Sequence, residues 1–167
     1  MNTTAISKTL LTIWPGLDDY ANMLGERAHN HALCSCNTPC LTNRIIDKII
    51  DLNVKQQSMR NLSTRLNQVV AKLPADTQKV LHSYYQTYGT APDIPAQAKI
   101  LGVAERTFYR HLDRATTYVA EHLDTIGINF FTWQDLLHQH AWIRETFMHQ
   151  CPLNPLRKTP RQTAPNH

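Results

Sequence analysis

The sequence predicts an all-α protein in which N-terminal helices and a long helix precede a helix-turn-helix and a C-terminal helix. Three observations lead there. Glycine is scarce, with 5 in 167 residues; apolar residues recur at three- and four-residue steps through most of the chain; and β-branched residues do not gather into short alternating runs. With 42% apolar residues the chain can bury a core in one or two small domains. Pattern and composition divide it into an N-terminal helical, oligomerisation-competent region over 1–72, a compact helical unit over 73–124, a C-terminal helix over 125–151 and a tail over 152–167.

Thr4 to Trp14 reads as a short helix stopped by Pro15-Gly16, and Leu17 to Ala28 as a second. Their apolar positions are Leu10, Leu11, Ile13, Trp14, Leu17, Tyr20, Met23 and Leu24, and residues 29–41 read as a loop. Thr42 to Lys72 follows as one long helix, about 46 Å at 1.5 Å per residue. Within it Ile45, Ile49, Leu52, Met59, Leu66 and Val70 lie on alternating three- and four-residue steps, continuing to Leu73. Gln56 and Ser63 fill the remaining positions of this coiled-coil-like seam, and Ile46, Leu62 and Val69 widen it. Two partners suit the seam: the N-terminal helix of the same chain, or the same helix of a second copy in a homodimer.

Leu73-Pro74 opens the next helix, with Pro74 in the first turn and Val80, Leu81, Tyr84 and Tyr85 as its apolar surface. Asp93 caps a short helix from Ile94 to Leu101, where Ala98 is small enough for close helix crossing. Gly102 then stops that helix, because glycine enters the left-handed region without steric cost. In the helix that follows, Val103, Phe108, Leu112, Ala115 and Val119 face inward, while Arg106, Thr107, Arg110 and Arg114 lie on the other side. Many amphipathic helices carry a cationic face that is merely solvated. Three helices in this order, with a glycine turn before the last, form instead a helix-turn-helix.

The run from Leu73-Pro74 through Val80-Leu81, Tyr84-Tyr85, Ala98-Lys99-Ile100-Leu101-Gly102-Val103 and Thr107-Phe108 to Leu112-Asp113-Arg114-Ala115 resembles the fourth region of bacterial sigma factors. It departs at Ala104, where that family places a Ser or Thr cap, and at Pro95, a tolerated early-turn proline. Arg106-Thr107-Phe108-Tyr109-Arg110, followed by Ala115, Val119 and Ala120, is similar to the ending of ArpU/RinA-type phage transcriptional regulators. That resemblance implies a sequence-specific DNA-binding regulator activating late or packaging genes of a phage or mobile element.

For double-stranded DNA as partner, Glu105, Arg106, Thr107 and Arg110 are placed to reach base edges, and Lys99, Tyr109, His111 and Arg114 to meet the backbone. Two other functions fit the same residues. One is an adaptor or antiterminator that docks on RNA polymerase through a sigma-like module; the other is a thiol- or metal-responsive repressor.

Thr132 followed by Asp135 resembles a capping box opening a last helix to about Gln150, with Trp133, Leu136, Leu137, His140, Ile143 and Phe147 as its apolar face. From Pro152 onward, prolines, polar residues and the cations Arg157, Lys158 and Arg161 predict a disordered basic tail. A net charge of +4, from 17 Lys plus Arg against 13 Asp plus Glu, permits nucleic-acid binding without requiring it. No apolar run is long enough to span a membrane, and the first residues lack a signal-peptide core, so a cytoplasmic, nucleoid-associated protein is expected.

His29, His31, Cys34, Cys36 and Cys40 are ligand types that zinc prefers. Cys34 and Cys36 are nevertheless closer than in common zinc knuckles, and no second ligand pair follows. Reduced thiols suit the pattern better, so no cofactor is expected; Cys151 stands alone. Catalysis is not expected either: Ser7, Ser35, Ser58, Ser63 and Ser83 lack a glycine elbow, and there is no glycine-rich phosphate loop. His138 and His140, near Glu145, diverge on a helix and would not share a metal.

Overall fold

A computed structural model describes residues 2–35, 42–85 and 93–151, and its fold is all-α. The first helix, α1 (Thr3–Ile13), starts at Asn2, whose side chain accepts from the Ala5 N–H at 3.1 Å. It is enclosed on most of its circumference: Ala5, Ile6, Leu10, Leu11 and Ile13 are buried, and so are Ser7 and Thr9. Those two hydroxyls donate to the helix's own carbonyls at Thr4 and Ala5, so burial leaves neither unsatisfied. Pro15 shapes the following turn, Trp14–Gly16, which has 3-10 geometry.

The second helix, α2 (Leu17–Ser35), runs through positions expected as loop, so His29, His31 and Cys34 are helical. The long helix α3 (Thr42–Val70) packs antiparallel against it. The direction is fixed by Arg60 donating to Asn22 at 3.5 Å and by Gly25 lying against the Gln56 side chain. Leu17, Ala21, Leu24 and Ala28 supply one side of the seam, and Leu52, Met59 and Leu66 the other. The seam expected on α3 is therefore satisfied within the chain. Of the residues expected to widen it, Leu62 and Val69 are buried, but Ile46 is 45% exposed and continues with Ile50 and Val54 along an outward stripe. At 29 residues the helix is about 43 Å long.

Pro74 sits just ahead of α4 (Ala75–Tyr85) instead of inside its first turn, and its carbonyl accepts from Gln78 N at 3.0 Å. Next come α5 (Ile94–Ile100) and α6 (Glu105–Glu121). Val80, Ala98 and Phe108 form a small core between α4, α5 and α6, while Leu81, Ala115 and Val119 belong to the main core with α1, α2 and α3. The 73–124 segment thus shares a continuous hydrophobic interior with the N-terminal region.

The C-terminal region differs from the single helix expected. A short α7 (Leu123–Ile126) ends at Gly127, with φ +85°, and α8 (Phe130–Gln139) follows. Its capping box is formed by Asn129 and Thr132, not by Thr132 and Asp135: Thr132 N donates to Asn129 Oδ1 at 2.9 Å, and Asn129 N donates to Thr132 Oγ1 at 2.8 Å. Asp135 instead accepts from Gln139 one turn on. The helix stops at His140, whose backbone turns extended, and α9 (Ala141–Gln150) begins again. That break places Ile143 in the core beside Trp133 and Leu136 and lets Trp142 reach Tyr20 on α2. Among the described residues no helix is long and apolar enough to cross a membrane.

Candidate nucleic-acid interface

The turn between α5 and α6 sets the interface. Asp93 caps α5 by accepting from Ala96 N at 3.2 Å, as its position predicts. At the other end Gly102 takes φ +67°, its N–H donates to Lys99 O at 3.2 Å, and Val103 N–H donates to Ala98 O at 3.0 Å. These are the paired bonds of a Schellman termination, in which the residue after the helix must be left-handed. The chain leaves that turn through extended Ala104 and enters α6.

The α6 helix has one buried line, Phe108, Ala115 and Val119, with Leu112 half-buried beside it. Opposite this line at helical spacing lie Arg106, Arg110 and Asp113. Arg106, Arg110 and Arg114 are exposed, as are Glu105, Asp113 and Lys99, and Tyr109 is 50% exposed. Among the described residues none of Lys99, Arg106, Arg110 and Arg114 has an ion-pair partner. These cations are thus free to meet an external anion. No side chain caps α6: Ala104 has none to offer, and the first amide groups of the helix are left to solvent or to a ligand. Glu105 in the first turn complements the positive end of the helix.

Two residues expected in the interface are placed differently from the rest. His111 lies half-buried on the side of α6 toward α4, with Nδ1 2.8 Å from the fully buried Thr77 hydroxyl. Its ring ties α6 to α4 through Nδ1 while the residue stays half-exposed on the flank of α6 that carries Arg114. Thr107 is also only half-exposed, one turn ahead on the same flank. A residue that sequence analysis did not single out, Ile100, stands 82% exposed at the end of α5 beside Lys99. Its only signal was its position directly before the Leu101-Gly102 turn.

Of the Cys/His group, His29, His31 and Cys34 lie on α2. His29 and Cys34 are exposed and His31 half-exposed, while Cys36 and Cys40 lie outside the described residues. Among the described residues no three His, Cys, Asp or Glu side chains are gathered to hold a metal ion. His138 is exposed and His140 fully buried, so these two do not converge. The tail cations Arg157, Lys158 and Arg161 also lie outside the described residues. The chain matches no protein-family model, no curated protein and no solved structure.

Proposed function

We propose that the protein is a sequence-specific DNA-binding transcriptional regulator whose α6 enters the major groove. One observation carries the proposal: a left-handed Gly102 turn leads into a helix whose underside is locked by Phe108 and Ala115, while Arg106, Arg110 and Arg114 stand outward with no ion-pair partner among the described residues. Arg106 and Arg110, opposite the buried line, are aimed at base edges, where a bidentate arginine reads guanine. Lys99, Tyr109 and Arg114 flank them and meet phosphates, with the open N-terminus of α6 as a further anion contact. Thr107 has a marginal share in base contact, and Glu105 orients Arg106 or accepts from cytosine. The sequence resemblance extends this to activation of late or packaging genes of a phage or mobile element.

The test is binding to randomised duplexes. Arg110→Ala should relax preference at one position, each good base contact contributing about 1 to 3 kcal/mol of discrimination. Lys99→Ala should weaken all sequences alike and flatten the salt dependence. Unchanged preference in the first variant would remove Arg110 from the reading residues.

The exposed Ile100 beside Lys99 favours a second reading, in which the module docks on RNA polymerase. Polymerase capture that needs Ile100 and persists without DNA binding would support it over the first.

A further inference from the structure

A cleft with no α6 residue in its lining opens elsewhere in the fold. It has a volume of 820 Å³ and lies where the Trp14–Gly16 turn, α2, α3, α4 and α9 meet. Ligand pockets commonly fall in this size range. Its walls are aromatic: Trp14, Tyr20 and Trp142 line it together with the His82 ring. Two of these rings are held in place by polar contacts. Trp14 Nε1 donates to Asn67 Oδ1 at 2.7 Å, and the Tyr20 hydroxyl lies 3.2 Å from Nδ1 of buried His140. Trp14 and His82 stand with centroids 5.0 Å apart, and Tyr20 and Trp142 with centroids 5.2 Å apart. All three large side chains are only half-buried, so part of each ring is open to the cleft.

Among the described lining residues, Asp18 and Asp19 contribute two exposed carboxylates and none is a lysine or arginine; the cations Arg27 and Lys55 act on the Tyr20 hydroxyl from outside the lining. Among the described residues neither carboxylate has an ion-pair partner. In the first turn of α2 they complement the helix dipole, which explains their place in that helix. Trp14, Tyr20 and Trp142 pack against the main core on one side and leave their remaining surface around the same space. Aromatic faces attract cations through their quadrupole, and carboxylates add a net attraction that a neutral guest does not feel.

We propose that this cleft binds a small organic cation of the alkylammonium class, held between the faces of Trp14, Tyr20 and Trp142 and balanced by Asp18 and Asp19. The weakly hydrated alkyl groups lie on the rings, and the charge sits toward the carboxylates. This site is independent of the DNA-binding proposal and is tested without DNA, so either can fail alone.

The experiment titrates the full chain with choline and with tetraethylammonium at constant ionic strength, following tryptophan fluorescence and calorimetric heat. The control is 3,3-dimethylbutan-1-ol, the neutral isostere of choline. Saturable one-to-one binding of at least one cation is expected, about tenfold tighter than the neutral isostere. Asp18→Asn with Asp19→Asn should weaken the cation by about three- to tenfold and leave the isostere unaffected. Trp142→Leu should weaken it by about tenfold, with thermal unfolding followed to establish that the variant folds. The proposal is overturned by equal binding of the isostere and the cation, by undiminished binding in the double Asn variant, or by no saturable signal from either cation at millimolar concentration.

Discussion

Acid should weaken the fold through one side chain, His140, and the size of the effect follows from its surroundings. The ring is 1% exposed, its Nδ1 lies 3.2 Å from the Tyr20 hydroxyl, and among the described residues its Nε2 has no hydrogen-bond partner. Burial, with a smaller contribution from Lys55, lowers its pKa from 6.5 to about 4. Above pH 6.5 both the folded and the unfolded chain carry a neutral ring, and the contribution of this site is complete. As the pH falls below 6.5 the unfolded chain takes up a proton that the folded chain refuses until about pH 4. Stability is therefore lost across that interval, by about 2.5 kcal/mol at pH 4.5 and about 3 kcal/mol at pH 4. For a domain of this size that is a large part of the total. Urea unfolding of the wild type and of His140→Phe at pH 7 and pH 4.5 isolates the effect, because the other histidines contribute equally to both. The variant should lose about 2.5 kcal/mol less than the wild type between the two pH values. Equal losses would refute the assignment of a neutral, buried ring to this position.

The two left-handed glycines should respond much alike to alanine. At Gly102 an added Cβ meets nothing within 4 Å, so Gly102→Ala should cost only the backbone strain, about 1 to 2 kcal/mol by urea unfolding. At Gly127 the same atom meets the end of the exposed Arg65 side chain, which can swing aside by giving up its 3.4 Å bond to Ile126 O, so Gly127→Ala should cost the same backbone strain and slightly more. Ala104→Ser supplies the side chain α6 lacks at its start and should raise stability by about 0.5 to 1 kcal/mol, measured by thermal unfolding; no gain would mean that the open amides already find partners. Thr77→Val removes the hydroxyl facing His111 and should destabilise by about 1 kcal/mol, while an unchanged unfolding midpoint would show that the contact between α4 and α6 carries no weight.

Much of the candidate interface is legible in the sequence. Asp93, Gly102 and the Phe108, Ala115, Val119 line act through local geometry: a cap needs a short acceptor, a left-handed turn favours glycine, and a helical face follows from spacing. The exposure of Arg106, Arg110 and Arg114 follows from the same spacing. His111 was not legible in this way, because its angle on α6 is intermediate and only the approach of Thr77 on α4 decides that the ring turns inward. Ala104 was recognised as a missing cap, and the structure shows the consequence, a helix start without a side-chain acceptor. The aromatic cleft is not legible in the sequence, because Trp14 and Tyr20 occupy apolar positions of two short helices and Trp142 is far from them along the chain.

By itself the sequence determined the all-α class, the positions of the helices near Thr42, Ile94 and Glu105, the heptad-like seam and the glycine turn ahead of α6. Each depends on contacts within a few residues or on a period that repeats along one helix. The tertiary structure alone decided what those faces meet: that α2 occupies the seam of α3, that α1 is enclosed by α6 and α9, and that the last helix breaks at His140. Periodicity identifies an apolar face but carries no information about its partner, because hydrophobic attraction has no direction and many pairings would bury similar area. Which pairing wins is settled by close packing among distant segments, and so is the cleft that Trp14, Tyr20 and Trp142 enclose.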